Sequence, residues 1–327
     1  MAFLITVAAA AHVLCIGELI WYALPSGVYL GGAPVNTAVH TANLGLEAKI
    51  ATAVGNDRLG RLGLTRLDRE GVCTSLVQTR DLETGFVEAT LDAQGAASYE
   101  FLTPAAYDAI DFDNHLHDAS RTCEAIVFGT LAQRSPASRK SIRQSVKVAA
   151  DANRLVVYDV NLRMPHTPLE IVVESAANVD ILKMNDDEAV TLSTVLDVES
   201  VTNLDSEGAT DEDVLEATSR CAAAIGRAVN AGCVVITCGP RGAVMWDDDA
   251  GTFCNHGYTP PESAVVDTVG CGDAFLAGLV RERLRNVKGD ESLETACRFG
   301  AYVAGYAGAT PCISESCAAL LRSRYHK

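Results

Sequence analysis

Aromatic residues are scarce in this 327-residue chain, at 6%, although 48% of it is hydrophobic. A sizeable core must therefore be built from aliphatic and small side chains, as in closely packed helix–sheet layers. Positive charge is also short: 26 Lys and Arg stand against 42 Asp and Glu, a net charge of −16. Sequence-independent nucleic-acid binding needs a basic surface, so that class is excluded. A nucleotide whose phosphates are met locally is not. The eleven cysteines are odd in number and contain no Cys-x-x-Cys pair. A disulfide framework and a zinc site are thereby excluded, and the thiols read as reduced, mostly buried groups of a cytoplasmic protein. No Gly-x-x-x-x-Gly-Lys-Ser/Thr run occurs, which excludes a P-loop, and no Gly-x-Gly-x-x-Gly follows the first strand, which argues against a dinucleotide site. Internal repeats and low-complexity linkers are missing too. Met1 to Ile16 is almost wholly apolar and Ala8-Ala9-Ala10 has the small residues of a signal cleavage site. Yet no Lys or Arg precedes it, and the run is shorter than a membrane span needs. His12 to Gly17 reads as the first buried strand, residues 1–11 as an N-terminal extension, and no membrane partner is expected.

What is present is a strand–helix alternation along nearly the whole chain. Buried strands are expected near 13–18, 48–54, 125–129, 155–160, 179–182 and 233–238, with helices near 34–44, 60–71, 137–152 and 293–307. This predicts an α/β fold over 12–327, a mostly parallel sheet with helices on both faces. Thr84–Leu91 and Ala97–Leu102, joined through Asp92-Ala93-Gln94-Gly95, have the alternation and turn of a β-hairpin. The acidic stretch Asp197–Glu216 reads as a solvated loop and a helix start.

Chemistry concentrates at Asp267-Thr268-Val269-Gly270-Cys271-Gly272-Asp273-Ala274-Phe275. Phe275, Leu276, Leu279, Val280 and Leu284 recur at helix spacing. Gly270 and Gly272 leave no side chain over the backbone N–H groups of that helix start, where unpaired donors and the helix dipole favour an anion. Asp273 stands at its mouth. A carboxylate there can take a proton from a hydroxyl while the amides hold the phosphoryl group that the oxygen attacks. Read plainly, the same residues are a Gly turn before a helix with Asp in its first turn.

Other elements have two readings as well. Gly31-Gly32 is either a turn before a helix or a place where backbone approaches a ligand. Asp159-x-Asn161-x-Arg163 ends a strand with three polar residues at alternate positions, predicted to face one side. Arg163 there suits a phosphate or sugar oxygen. Asn185 and Glu188 fit a capping box, or ligands of a nucleotide and its metal. Arg134, after the 125–129 strand, would meet a phosphate or cap the next helix. Asp57 is a helix-start residue. Thr237-Cys238-Gly239-Pro240-Arg241-Gly242 is a strand end with a Gly-bounded turn.

Taken together, these motifs resemble the ribokinase-like (PfkB-type) carbohydrate kinase family over about residues 12–312. The central stretch is similar to its C-terminal signature, with Cys271 where the family usually has Ala. Gly17-Glu18…Gly31-Gly32-Ala33-Pro34-x-Asn36-x-Ala38…Leu44-Gly45 and Phe128-Gly129-Thr130-Leu131-Ala132-Gln133-Arg134 resemble the fructokinase-like branch. The resemblance implies an ATP-dependent sugar kinase acting on a primary hydroxyl of a small, fructose-like ketose. It implies Asp273 as base and the Gly270-Cys271-Gly272 turn as anion hole. Gly31, Gly32, Asn36 and Arg163 would contact the sugar, under a β-lid formed by about 19–32 and 84–103. Asn185, Thr237, Gly239 and Gly242 would lie along ATP, and Glu188 would hold Mg²⁺ through water. The segment Gly308-Ala309-Thr310-Pro311, with Asp267, resembles the adenine-side and monovalent-cation (K⁺) region. Exposed lid edges suit a homodimer by the same analogy. One departure stands out: Tyr22 occupies the position where the family usually has an Asp that holds sugar hydroxyls. Losing a charged hydrogen bond costs about 1.5–3 kcal/mol, which leaves the acceptor open between a ketose and a nucleoside, sugar acid or sugar phosphate. A weakly catalytic sugar- or nucleotide-binding regulator on the same fold is the alternative outside the enzymes.

Overall fold

A computed structural model describes residues 11–24, 27–91, 97–201, 210–255 and 265–312. Residues 1–10 of the expected extension, 92–96 with the expected hairpin turn at 92–95, residues 202–209 of the acidic stretch and 256–264 before the central motif lie outside the described residues.

The main sheet grows from β1 (His12–Ile16), whose Val13, Leu14, Cys15 and Ile16 are all fully buried. Such an unbroken apolar strand belongs in a parallel sheet covered on both faces. After β1 come β2 (Ile20–Leu24), β3 (Gly27–Gly31) and α1 (Ala33–Asn43), then β4 (Glu47–Gly55), α2 (Arg58–Arg69) and β5 (Cys73–Arg80). Strands β6 (Gly85–Leu91) and β7 (Ala97–Phe101) precede α3 (Asn114–Thr122), β8 (Ala125–Gly129), α4 (Pro136–Asp151) and β9 (Leu155–Asp159). The chain continues through α5 (Leu169–Ala176), β10 (Ile181–Asn185), α6 (Asp186–Leu196), α7 (Asp211–Val229), β11 (Cys233–Thr237), β12 (Ala243–Asp247) and β13 (Gly251–Asn255). Helices α8 (Cys271–Leu284) and α9 (Asp290–Ala304) follow.

The nine-stranded sheet runs β13-β12-β11-β10-β9-β8-β1-β4-β5, parallel from β11 to β5 and antiparallel at β12 and β13. Alternate residues of its strands face opposite layers. Leu14, Ile16, Ile126, Phe128 and Tyr158 pack with Ile142 of α4 and Leu215 and Ile225 of α7. Val13, Cys15, Val127, Val157 and Val235 pack on the other side with Val35 of α1, Phe275 and Leu279 of α8 and Leu293 of α9.

A second sheet, β3-β2-β6-β7, pairs the expected hairpin with the segment after β1. Asp57 joins it to the main layer: as N-cap of α2 its Oδ1 accepts from Gly60 N at 2.7 Å, while Oδ2 accepts from Thr84 N at 2.8 Å. Cys15, Cys123, Cys221, Cys233, Cys238 and Cys297 are buried free thiols. Among the described residues no helix is long and apolar enough to cross a membrane.

Two expectations are corrected here. The strand expected to run on toward Asn161 and Arg163 stops at Asp159, and Asn161 takes a left-handed φ of 39°. The three polar side chains therefore do not alternate along one strand. The strand expected at 179–182 is shifted and reaches Asn185, because β10 pairs with β11 as far as Asn185 and Thr237; within it Lys183 lies in register with Asp159 and finds its counter-charge there.

Candidate active site

The C-terminal ends of β1, β9, β10 and β11 share one edge of the sheet, where an open α/β sheet places its ligands. Helices α1 and α8 start at the same edge, each after a glycine that the local backbone demands. Gly32, N-cap of α1, has φ 109°, and a Cβ there would lie 2.4 Å from Glu18 O. Gly270, N-cap of α8, has φ 80°, and a Cβ would lie 2.2 Å from Ala309 O. The Gly270→Ala variant should therefore carry about 1–3 kcal/mol of backbone strain, before any displacement of residue 309. A thermal midpoint several degrees lower is expected; an unchanged midpoint would show that this turn is not strained.

Helix α8 makes its first helical bond from Ala274 N to Gly270 O, 2.9 Å. The N–H groups of Gly270, Gly272 and Asp273 precede it and have no acceptor among the described residues. That of Cys271 reaches Thr268 O at 3.3 Å, so Cys271 adds little to an anion site. Its thiol is pushed up to about 11, first by burial and then by the charges of Asp267 and Asp273, and stays protonated at neutral pH.

Asp273 is 9% exposed, and its Oδ2 accepts from Asn36 Nδ2 of α1 at 2.8 Å. Burial, followed by the Asp159 charge, pushes its carboxyl up to about 7 against Lys183, the Asn36 hydrogen bond and Arg163, which favour the ionised form. Lys183 Nζ lies 3.0 and 3.2 Å from the two oxygens of Asp159. Burial opposes its charge, but Asp159, Glu188 and Asp273 outweigh burial and hold it protonated. A Cβ on Gly272 would lie 3.1 Å from that ammonium, so the cation stands beside the first turn of α8. A buried carboxyl, unpaired amides and a fixed cation thus converge on one place.

The other expected residues distribute as follows. Gly31 ends β3, and a Cβ there would meet the Tyr22 ring at 2.9 Å and Asn36 Oδ1 at 3.8 Å. Arg163 is exposed; its Nη1 donates to Leu162 O at 2.8 Å, and it makes no ion pair among the described residues. Asn185 and Thr237 end β10 and β11 as register partners. The turn after Thr237 has φ 55° at Gly239 and 102° at Gly242, and the side of Gly239 that a Cβ would take is open.

Asn185 and Glu188 form the capping box in full. Asn185 Oδ1 accepts from Glu188 N at 2.8 Å, and Glu188 Oε2 accepts from Asn185 N at 2.9 Å. The other oxygen, Oε1, accepts from Leu162 N at 2.6 Å. Burial first, then Asp159, raises this carboxyl above the usual range against Lys183. Asp267 ties two loops: Oδ1 accepts from Val269 N and Oδ2 from Gly308 N, both at 3.0 Å.

Arg134 does not cap the helix that follows it, one of the two expectations for it. It pairs with Asp108 at 2.7 Å and donates to Leu102 O, buried against the Tyr107 ring, so it holds the 102–108 segment and caps no helix. Lys183 was missed because it was expected after a strand rather than in one. The available signal was a lone lysine between Leu182 and Met184 in an otherwise apolar run, which demands a buried counter-charge. Glu18 was passed over as part of a motif, although it is 4% exposed at the end of β1.

A buried carboxyl, free amides at a helix start and a fixed ammonium at one sheet edge are an arrangement compatible with phosphoryl transfer to an alcohol. Residues 14–316 match the pfkB family carbohydrate kinase. The chain belongs to this family, and its class is that of ATP-dependent phosphotransferases acting on an alcohol group of a carbohydrate. It is 27% identical over 290 residues to an ATP-dependent 6-phosphofructokinase of Thermoanaerobacterium thermosaccharolyticum, covering 86% of this chain and 80% of that protein. It is 27% identical over 261 residues to a fructokinase of Vibrio alginolyticus, covering 76% and 75%. The fold is shared with an uncharacterized sugar kinase from Pyrococcus horikoshii at a TM-score of 0.74 and 23% identity, over 92% of this chain and 94% of that one.

Proposed function

We propose that the protein transfers the γ-phosphoryl group of ATP to a primary hydroxyl of a small, fructose-like ketose. The observation that carries this reading is Asp273, a buried carboxyl held by Asn36 in the first turn of α8, beside unpaired amides and Lys183. In its ionised form Asp273 takes the hydroxyl proton. The Gly270, Gly272 and Asp273 amides and the Lys183 ammonium meet the charge that builds on the phosphoryl oxygens. The sheet of β2, β3, β6 and β7 serves as a lid that excludes water, which would otherwise accept the phosphoryl group.

The nucleotide side is suited to ATP. Asn185 and Thr237 are adjacent, and the open faces of Gly239 and Gly308 leave room for phosphates and base. For Mg²⁺ the fit is through water: both Glu188 oxygens already accept backbone N–H groups, and no group of three metal-binding side chains occurs among the described residues. When bound, Mg²⁺ with ATP neutralises part of the phosphate charge. K⁺ held by Asp267 belongs to the same reading, as does a homodimer through β3, where Val28 and Tyr29 are exposed.

A second acceptor class, a sugar phosphate, is favoured by one observation. Arg163 is a cation with no carboxylate partner among the described residues, and its field reaches both Asp273 and Glu18. The relative named as a 6-phosphofructokinase fits that reading.

ADP release from Mg·ATP across fructose, fructose 6-phosphate, ribose, a nucleoside and a sugar acid separates the two, run beside Tyr22→Asp. The highest turnover is expected with fructose, in both proteins. Turnover confined to fructose 6-phosphate would replace the ketose by its phosphate, and turnover with no acceptor would leave a binding protein.

A further inference from the structure

Glu18 stands two residues after the end of β1, at the edge of the sheet that carries the site. Its Oε1 accepts from Ala33 N at the start of α1, 3.3 Å away. Its Oε2 is closed to solvent and has no donor among the described residues. The same is true of Asn36 Oδ1, on the amide whose nitrogen holds Asp273. Two unpaired, buried acceptors therefore stand beside the base. A buried acceptor that serves only the fold normally has its donor in the fold.

Both belong to one small region. Gly32 fits against the backbone and Cγ of Glu18, while Asn36 Oδ1 and the Tyr22 ring converge on Gly31. Burial pushes the Glu18 carboxyl up to about 7, against its own backbone N–H, the Arg163 charge and the Ala33 hydrogen bond, with the Asp273 charge adding to the rise. At these two oxygens the described residues supply no donor, and a sugar brings donors on adjacent carbons.

We infer that Glu18 is a specificity-determining residue whose Oε2 accepts a hydrogen bond from a hydroxyl of the bound sugar, so supplying the carboxylate contact that Tyr22 does not. This deepens the sugar-kinase reading and rests on it. The Tyr22 ring lies beside Gly31, 2.9 Å from where a Cβ would stand, so a sugar that approaches along Gly31 meets this ring on the way to Asn36.

The test is Glu18→Gln in the full-length protein, assayed with fructose and a series of monodeoxy fructoses. Gln keeps an oxygen for Ala33 N and turns the other acceptor into a donor. KM for fructose should rise about 10- to 100-fold, with KM for ATP and the melting temperature little changed. One deoxy analogue should be penalised in the wild-type protein and lose that penalty in the variant, a change that a purely structural Glu18 does not produce. A fructose KM within twofold of wild type, or the same analogue pattern in both proteins, overturns the inference. If Glu18→Gln does not fold, Glu18→Asp, which keeps the acid and withdraws it by one methylene, is held to the same analogue criterion. A wild-type protein that phosphorylates no sugar removes the sugar-kinase reading itself. Fructose turnover with an unaltered pattern removes only the role of Glu18.

Discussion

Asp273→Asn is expected to lower kcat by about 10²–10⁴-fold, the usual contribution of a general base, while ATP still binds and the fold is kept. The substitution keeps the shape of the side chain and an oxygen for Asn36 Nδ2, so what is removed is basicity. The acid limb of the wild-type profile makes the same point. Only the ionised carboxyl accepts a proton, so kcat/KM should fall toward tenfold per pH unit below an apparent value near 7, to which burial raises Asp273. Glu18, pushed up to the same range and within reach of the Asp273 charge, titrates with it, so the limb belongs to the pair.

Stability should move the opposite way. The folded value of Asp273 lies above its unfolded one, so the folded state holds the proton longer, and stability declines as pH rises from about 4 to about 7. Asp273→Asn removes that penalty, so the variant should gain in melting temperature relative to wild type at pH 8 and not at pH 4. A variant that keeps full turnover would dismiss Asp273 as the base; one that melts lower at pH 8 would contradict the account of its burial.

Lys183→Met is expected to cost about 3–5 kcal/mol of stability, the usual effect of removing one partner of a buried ion pair. Asp159 is 2% exposed and would be left without its counter-charge. Activity should fall separately, by about 10²–10³-fold in kcat, comparable to the loss of one preorganised donor at a developing oxyanion. The double variant Lys183→Met/Asp159→Asn divides the two effects. Without the Asp159 charge most of the stability returns, since a neutral pair suits the buried site. The rate does not return, because the cation beside Gly272 is still missing. Recovery of rate together with stability would make Lys183 a structural counter-ion only. Chemical denaturation and single-turnover kinetics on the same preparations read both quantities.

Much of the architecture was legible in the order of residues. β1, β8 and β11 are unbroken apolar runs because each is covered on both faces, a burial pattern that local sequence carries by itself. The turn at Gly270 and the start of α8 could be read for the same reason: a left-handed N-cap and helix spacing are local properties, although the burial of α8 on all sides from Asp273 to Glu282 is not. Asp57 and Asn185 were readable as helix caps because a cap bonds three residues away. The bonds that make Asp273 a strong candidate base are not local. Asn36 reaches it across 237 positions in sequence, and Lys183 meets Asp159 only because β9 and β10 pair in one particular register. That Arg134 caps no helix could not be read locally, because Asp108, 26 residues before it, takes the guanidinium into the interior. Sequence alone therefore determined the buried central strands, several helix starts and the residue types at the sheet edge, since periodicity, caps and glycine turns depend on neighbours along the chain; β5, β12 and β13, at the two ends of the sheet, were not legible in it. Tertiary structure alone decided which charges face one another and which acceptors stay unpaired. Burial raises the energy of every such group until a distant residue, or a substrate, answers it.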